Sequence, residues 1–303
     1  MWELMEQFFY WNVHVWYLGS LDHRPLGTKV IMQYHLPEIG SWGEEKYHLV
    51  RNYAQMFAKS MKDKWQCRVY IDLFAGAGRA KIKGTGKIVD GSPLIALSID
   101  DPFDRYIFCE ENAKNIDALS KRVKAHYPSL DTHFVPGDAN DSVDEILSLI
   151  PQYSSTYNVL GFCFVDPFKI DNLKFNTLRR LSAKYMDFLV LIPTGMDARR
   201  NVSYYMKYNS RHVEKFTGRL NWRDEWPQAE MRGENFGLFF IKQFCTSMAD
   251  IGYKYTTAED SVEIRSTEKN LPLYRLAFFS KHPLAHKFWG DVKKYSTPQL
   301  NLF

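Results

Sequence analysis

A run of seven residues, Val159–Val165, contains only apolar side chains and one glycine. A second run, Asp187–Ile192, is apolar after its first residue. A strand without polar alternation must be covered on both faces, and such strands occur in parallel sheets with helices on each side. These two segments therefore predict the central strands of a layered α/β sheet.

Strand and helix patterns alternate along the chain before these two runs. Short strands are predicted at Arg68–Leu73, Tyr106–Glu110 and His133–Pro136, with helices over 112–126 and 141–150. Strands that alternate with helices of about 10 to 15 residues are typical of βαβ units. The predicted fold class is α/β, a doubly wound, mainly parallel Rossmann-like sheet.

A helix is predicted over about 42–63, in front of the first strand. Ser41 and Glu44 have the spacing of a capping box, and apolar residues follow at helical intervals. Residues 1–41, which prolines and glycines interrupt, are interpreted as an N-terminal extension. Residues 42–303 are interpreted as one Rossmann-like domain.

The alternation is interrupted after the strand at Asp187–Ile192. Residues 195–233 are polar, basic and aromatic, and we interpret them as an inserted helical cap. The alternation then resumes with a helix over 235–248 and a last helix over about 283–294. Strand candidates between these two helices are Tyr253–Thr256, Val262–Arg265 and Leu273–Ser280.

The first predicted strand runs directly into a glycine-rich turn. An acid at a strand end followed by G-x-G is typical of class I methyltransferases, where the glycines let the backbone approach S-adenosylmethionine. The residues assigned to this cofactor site are Asp72, Phe74, Ala75, Gly76 and Gly78. A glycine-rich turn of another Rossmann-like protein is the alternative. A dinucleotide fingerprint is disfavoured because Lys81 replaces the third glycine, and a Walker A loop because Ile88 follows Gly86-Lys87.

Acidic residues follow the next two predicted strands. Glu110 could accept hydrogen bonds from both ribose hydroxyls, although Glu111 is adjacent and the assignment is open by one residue. Asp138 could accept from an exocyclic adenine amine while the backbone N–H of Ala139 reaches a ring nitrogen. The alternative is that Asp138 only forms an Asx turn or caps the next helix.

The tripeptide Asp166-Pro167-Phe168 follows the most hydrophobic strand. At the carboxyl end of a central strand it would face the ligand crevice. Asp166 and Phe168 are the candidate catalytic residues, the first to orient an amine or take its proton and the second to stack on a flat acceptor, with Pro167 beside the substrate. The tetrad of amino-methyltransferases has a second proline, which this chain lacks. The alternative is that Asp166 caps the following helix.

The predicted cap contains a periodic arrangement of basic and aromatic residues. On one helix, a basic residue at every fourth position forms a stripe that could follow a phosphate backbone. The basic series is Lys207, Arg211, Lys215 and Arg219, and the aromatic series is Tyr204, Tyr208, His212 and Phe216. Lys207, Arg211 and Lys215 are the candidate substrate-binding residues. The alternative is an amphipathic helix whose aromatic face packs inward.

The composition of the whole chain restricts the class of protein. A net charge of +4, from 39 basic and 35 acidic residues, is too small for a nucleic-acid binder overall, so any basic surface is local. The four cysteines lie far apart, which argues against a zinc site or a disulfide framework. No apolar run approaches the roughly 20 residues of a membrane span, and residues 1–26 lack the features of a signal peptide. We expect a cytoplasmic protein without a membrane segment.

Several motifs together resemble the three-Cys-motif partner proteins (TcmP), from about residue 42 to the C-terminus. The segments that carry the resemblance are Glu45-Lys46, Tyr70–Gly76, Gly91–Leu97, Gly137–Asn140, Phe164–Phe168 and Phe279–Leu284. The resemblance implies a methyltransferase-like fold and a partner protein with a three-cysteine motif of radical-SAM type, but no settled substrate. Ala77-Gly78-Arg79 and the first 40 residues depart from the family pattern.

The function predicted from these motifs is S-adenosylmethionine-dependent methyl transfer, with nucleic acid as the favoured acceptor. Two other functions stay open. One is a non-catalytic partner that binds a nucleotide, nucleic acid or its companion protein, since fold does not guarantee activity. The other is a metal-dependent nuclease that would use Asp72, Asp138 and Asp166.

Overall fold

A computed structural model describes residues 34–195, 201–266 and 270–296. The chain divides into two units, residues 1–34 and 35–303, and the strands and helices described here belong to the second unit. Residues 1–33 of the predicted extension lie outside the described residues, as do Arg199 and Arg200 of the predicted cap.

The second unit contains strands and helices in alternation. The strands are β1 Glu38–Ile39, β2 Cys67–Asp72, β3 Arg79–Ile82, β4 Ile88–Asp90, β5 Arg105–Glu110, β6 Thr132–Pro136, β7 Val159–Val165, β8 Met186–Ile192, β9 Val262–Arg265 and β10 Pro272–Phe279. The helices are α1 Gly43–Met61, α2 Ser92–Leu97, α3 Ala113–His126, α4 Val143–Leu149, α5 Phe175–Leu181, α6 Val202–Tyr205, α7 His212–Thr217, α8 Trp222–Met231, α9 Phe236–Asp250 and α10 Pro283–Ser296. A 3₁₀ turn, Ile170–Asn172, precedes α5.

Seven strands form the main sheet in the order β6-β5-β2-β7-β8-β10-β9. The strands from β6 to β8 are parallel to their neighbours, and β10 is antiparallel to both β8 and β9. This is the doubly wound, mainly parallel sheet of the class I methyltransferase type, and the predicted fold class is confirmed. The strand order reverses between β2 and β7, and ligands bind at such a switch point, outside the carboxyl ends of the strands.

Helices cover both faces of the sheet, as the apolar central strands require. Every residue of β2 and β8 is buried, and in β7 only Leu160 is partly exposed. On one face α1 packs against α2 and α10, and on the other α4 packs against α5 and α7 against α9. At Gly161 the Met186 side chain of β8 packs closely over β7, since an added Cβ would lie 2.4 Å from the Met186 Sδ.

A small second sheet, in the order β1-β3-β4, was not predicted. Its hairpin β3–β4 lies between the glycine-rich turn and α2, in a segment whose glycines and lysines indicate a loop. The backbone N–H of Lys83 donates to the Ile39 carbonyl at 2.9 Å, so the hairpin depends on a strand far away in the sequence. Residues 38–39 of the predicted extension are thus hydrogen-bonded to this hairpin.

Two local predictions were wrong. The capping box at Ser41 does not form, because α1 begins at Gly43 with Trp42 at the N-cap position in helical backbone geometry, and Glu44 pairs with Lys87 instead. Tyr253–Thr256 is not a strand. The Lys254 N–H donates to the Ser280 carbonyl at 3.0 Å and the Tyr253 hydroxyl donates to the Met186 carbonyl at 2.9 Å, so this segment is hydrogen-bonded to the sheet without forming a strand.

The predicted cap is helical but does not form one long helix. It comprises α6, α7 and α8, and residues 206–211 lie between the first two of these. The Arg223 guanidinium donates to the carbonyls of Tyr205, Lys207 and Ser210, which holds this connection in a compact turn. The predicted stripes are therefore broken.

Within the part of the chain that the structure describes, no helix combines the length and apolar character needed to cross a bilayer.

Candidate functional site

A cleft of about 1060 Å³ opens at the carboxyl ends of β2, β5, β6 and β7. Ligand pockets usually measure about 300 to 1,000 Å³, so this one has room for a cofactor and part of a second molecule. It brings together eight of the predicted site residues, namely Phe74, Gly76, Glu110, Asp138, Ala139, Asp166, Pro167 and Phe168.

The glycine-rich turn presents its backbone to the cleft at Gly76. This residue has a φ of +63°, a conformation that favours glycine, and an added Cβ would meet no atom within 4 Å. Its backbone N–H donates to the Glu110 Oε2 at 2.8 Å, and the Ala75 N–H donates to the Cys109 carbonyl at 2.9 Å. The turn is thus fastened to β5 and leaves open space beside Gly76.

Three residues assigned to the cofactor from sequence lie behind this turn instead of on the cleft wall. Asp72 is fully buried and accepts from the Phe74 N–H at 3.2 Å, and Ala75 is also buried. A Cβ on Gly78 would lie 2.8 Å from the Leu119 Cδ1, so that glycine serves helix packing. The structure gives all three a supporting position, and their contact with a cofactor stays a prediction.

The buried Asp72 carboxyl has a pKa near neutral pH. Burial raises the pKa of Asp72 to about 7, although hydrogen bonds from Ser92 and from the backbone of Phe74 act in the opposite direction.

Glu110 is the better placed of the two adjacent acids. Its Oε1 accepts from the Asn112 N–H at 2.8 Å and from the Asn115 Nδ2 at 3.3 Å, whereas Glu111 is exposed at the edge of the cleft. The Asn115 Oδ1 is buried and has no hydrogen-bond partner among the described residues. Asn115, which the sequence did not single out, lines the cleft and supports Glu110 through its Nδ2.

Asp138 forms the Asx turn that the alternative interpretation anticipated. Its Oδ1 accepts from the Asn140 N–H at 2.7 Å, and Asp138 still lines the cleft together with Ala139. Asn140, also missed, connects two loops, because its side chain donates to the Asn172 carbonyl at 2.9 Å and accepts from the Lys174 N–H at 2.7 Å. The loop after β6 and the loop after β7 are thus locked together.

The Asp166 carboxylate forms a buried ion pair with Lys46 of α1. The Lys46 Nζ lies 2.5 Å from the Asp166 Oδ2, and the two side chains are 9% and 16% exposed. Burial lowers the pKa of Lys46, but the attraction and hydrogen bond of Asp166 outweigh it and leave the pKa above its ordinary value of 10.5. The structure does not support the alternative in which Asp166 caps a helix.

A sequence signal for Lys46 exists. Lys46 lies four residues before Val50 and seven before Tyr53, so it occupies the apolar stripe of α1. A lysine at a buried helical position needs an acidic partner, and that partner is 120 residues away. Only the fold identifies it.

Phe168 projects from a hydrogen-bonded loop after β7. The ring is 80% exposed, whereas the preceding Pro167 is buried. The Lys169 N–H donates to the Asn172 Oδ1 at 3.1 Å and the Asn172 N–H donates to the Lys169 carbonyl at 3.1 Å, which fixes the backbone on the other side.

The three basic residues assigned to the substrate lie outside the cleft. Lys207, Arg211 and Lys215 are exposed; Lys207 stands over the Tyr204 ring at 5.6 Å, and Arg211 pairs with Glu214 at 3.6 Å. The aromatic series is also divided, since Phe216 is buried and Tyr208 is 93% exposed.

A side-chain hydrogen bond joins the cap to the loop after β7. The His212 Nδ1 is bonded to Asp171, in the 3₁₀ turn that follows Phe168, and the His212 Nε2 lies 3.2 Å from the Tyr204 hydroxyl. Among the cap residues that the structure describes, Asn201 lines the cleft.

Among the described residues, no group of three or more His, Cys, Asp or Glu side chains is arranged to hold a metal ion.

No protein-family model matches this sequence, and no curated protein matches it. Solved structures do resemble the fold. The Legionella pneumophila protein LPL1258 (family-model DUF519) has a TM-score of 0.47 at 12% identity, over 85% of this chain and 94% of that chain. The Bacillus cereus O-methyltransferase in complex with SAH has a TM-score of 0.45 at 12% identity, over 90% of each chain.

M. jannaschii TYW2 in complex with AdoMet has a TM-score of 0.39 at 11% identity, over 84% of this chain and 80% of that chain. All three TM-scores are below 0.5.

Proposed function

We propose that this protein binds S-adenosylmethionine in the cleft and directs its methyl group to a nitrogen acceptor. The observation that carries the proposal is the placement of Gly76, Glu110 and Asp138, from the ends of three neighbouring parallel strands, on one cleft wall. A site for a nucleoside with an amino-acid tail needs three features. These are a stretch of backbone that the tail can approach, a carboxylate that accepts from the ribose hydroxyls, and an acceptor for the amine of the base. These residues provide all three.

The residues present fit this cofactor. The open space beside Gly76 accommodates a chain that passes close to the backbone, and the Glu110 carboxylate accepts ribose hydroxyls. Asp138 with Ala139 faces the base. When bound, S-adenosylmethionine supplies an electrophilic methyl group on a sulfonium.

The chain's own residues position the acceptor. Lys46 supplies a counter-charge to Asp166 and bonds its Oδ2, which leaves the Oδ1 to accept a hydrogen bond from an acceptor amine. The exposed ring of Phe168 gives that acceptor a flat surface to stack on. Correct orientation of two reactants is the main contribution of a protein to a displacement of this kind.

Two finer parts of the function have narrower support. Nucleic acid as the acceptor is supported by the exposed Phe168 ring, on which a base could stack, and by the Asp166 carboxylate, which could accept from the exocyclic amine of that base. A three-Cys-motif partner is supported by the sequence resemblance. A non-catalytic binding role is the second candidate, favoured by the missing second proline after Pro167.

Calorimetric titration with S-adenosylmethionine and S-adenosylhomocysteine tests the cofactor site. We expect micromolar binding, weakened about tenfold to a hundredfold by Glu110→Ala, because two hydrogen bonds to a charged group are lost. Glu111→Ala is the matched control and should retain wild-type affinity, since that side chain is exposed. Absence of binding by the folded protein, or equal losses in both variants, would overturn the proposal.

A further inference from the structure

Two lysines at the cleft have no acidic partner among the described residues. Lys83, in the β3–β4 turn, and Lys169, in the loop after β7, are exposed and both line the cleft. Neighbouring lysines differ, because Lys87 pairs with Glu44 and Lys174 with Asp141. Two available cations therefore lie along the opening that an acceptor would have to enter.

The backbone holds both lysines in place. The N–H of Lys83 donates to the Ile39 carbonyl at 2.9 Å, and Gly84 and Gly86, with φ values of +85° and +70°, close the tight turn after it. Lys169 is fixed by its reciprocal hydrogen bonds with Asn172. These hydrogen bonds give both side chains a defined starting point beside the cleft.

Phe168 lies in the same lining, directly before Lys169 in the sequence. The ring is 80% exposed and therefore packs little against the protein, whereas the neighbouring Pro167 is buried. An exposed aromatic ring combined with cations is the arrangement by which proteins hold single strands, with stacked bases and neutralised phosphates.

The cap is less suited to this role than its sequence indicated. Arg211 and Arg223 both pair with Glu214, and Arg219 pairs with Asp250 at 2.7 Å. These ion pairs offset part of the positive charge, and none of the three arginines lines the cleft.

We propose that the cleft mouth binds single-stranded nucleic acid, with Lys83 and Lys169 on its phosphates and Phe168 stacked on an unpaired base. That the base is the methyl acceptor rests on the proposed function; the binding itself does not. Five acidic residues also line the cleft. Glu110 and Asp138 accept backbone N–H groups and Asp166 pairs with Lys46, whereas Glu38 and Glu111 are exposed, so the phosphates must lie at the two lysines and away from those two carboxylates. An amine on the stacked base would then face Asp166.

Fluorescence anisotropy with a labelled, mixed-sequence RNA or DNA strand of about twenty nucleotides, at low salt, tests the surface. We expect Lys83→Glu/Lys169→Glu to weaken binding at least tenfold and to reduce the slope of log affinity against log salt by about 1.4, for two lost phosphate contacts. Phe168→Ala should weaken binding about tenfold and leave the salt slope unchanged, because stacking releases no counterions.

The matched control is Lys64→Glu/Lys124→Glu, which makes the same charge change at exposed positions that precede parallel strands, at the opposite edge of the sheet. It should bind as the wild type does. Lys207→Glu/Lys215→Glu tests the cap, and a loss confined to that variant would place the site there and overturn the proposal. The proposal would also be overturned if the wild-type protein bound neither the RNA nor the DNA strand, or if polyglutamate of equal charge displaced the bound strand.

Calorimetry with S-adenosylmethionine on the same samples separates the two proposals. Cofactor binding retained in Lys83→Glu/Lys169→Glu, with strand binding lost, supports the surface as a site of its own. Strand binding that meets these criteria in a protein without cofactor affinity supports the surface and contradicts the methyltransferase function.

Discussion

The two ends of the cleft are built in different ways. At the cofactor end, polar side chains are fixed by backbone N–H groups of nearby loops, as Glu110 is by Gly76 and Asp138 by Asn140. At the acceptor end, Asp166 is fixed by Lys46, a side chain from another helix 120 residues away, and Phe168 is left exposed. The first end depends on local loop geometry, and the second depends on the packing of α1 against the sheet.

The largest expected effect is at the acceptor end, where Lys46→Met leaves the Asp166 carboxylate, which is 16% exposed at the cleft, without its counter-charge. Breaking a fully buried ion pair costs about 3–5 kcal/mol of unfolding free energy, and we expect the lower end of that range because water in the cleft reaches Asp166 in part. Lys46→Met/Asp166→Asn removes the charge as well and should recover most of that loss. Urea denaturation measures both, and a double variant as unstable as the single one would show that Lys46 acts by packing alone.

The second-largest effect concerns Asp72, which lies behind the glycine-rich turn at the cofactor end. This residue makes the free energy of unfolding depend on pH. Burial raises its pKa from 3.8 to about 7, so the folded protein binds this proton more tightly than the unfolded chain does. The stabilisation is fully present below pH 3.8 and is lost as the pH rises through about 7, amounting to at most about 4 kcal/mol.

Asp72→Asn should therefore flatten the dependence of unfolding free energy on pH between roughly 4 and 8. Asp187, whose pKa burial also raises to about 7, titrates in both proteins and provides the remaining slope. Identical slopes for the wild type and Asp72→Asn would contradict the placement of Asp72 as a buried group with a raised pKa.

The smallest effects compare the two glycines of the turn. Both have positive φ, so alanine costs about 1–2 kcal/mol at either position. Gly78→Ala should cost more, because its Cβ would lie 2.8 Å from the Leu119 Cδ1, while leaving cofactor affinity largely intact. For Gly76→Ala we expect the loss of free energy of cofactor binding to be at least as large as the loss of free energy of unfolding. Calorimetry measures the first and thermal unfolding the second. A loss of cofactor affinity in Gly78→Ala but not in Gly76→Ala would place the cofactor elsewhere.

The sequence predicted those parts of the fold that depend on local periodicity. The bounds of β7 and β9 agree with the prediction, and the other main-sheet strands differ by one residue. The β3–β4 hairpin was missed because its partner strand β1 is distant in sequence. The basic and aromatic stripes assumed one continuous helix in the cap, which was wrong for a related reason. Arg223 on α8 donates to the carbonyls of Tyr205 and Ser210, and these hydrogen bonds hold residues 206–211 in a turn.

The same distinction applies to the site. Residues directly after strand ends, such as Gly76, Glu110 and Asp166, could be selected because the carboxyl ends of parallel strands meet at one edge. The roles of three other residues could not be predicted from the sequence, because they depend on partners that only the folded chain brings near. These residues are Lys46, Asn115 and Asn140. Asp72 and Gly78 were assigned to the cofactor although their side-chain positions face the interior, which the motif alone does not show.

The most direct test of the cofactor site is photochemical cross-linking of methyl-labelled S-adenosylmethionine to the wild-type protein, with peptide mapping of the product. We expect label in peptides that contain Phe74–Gly76 or Pro167–Phe168, abolished by excess S-adenosylhomocysteine. Label confined to peptides outside the cleft, or label that the competitor does not reduce, would contradict a cofactor bound at the carboxyl ends of these strands.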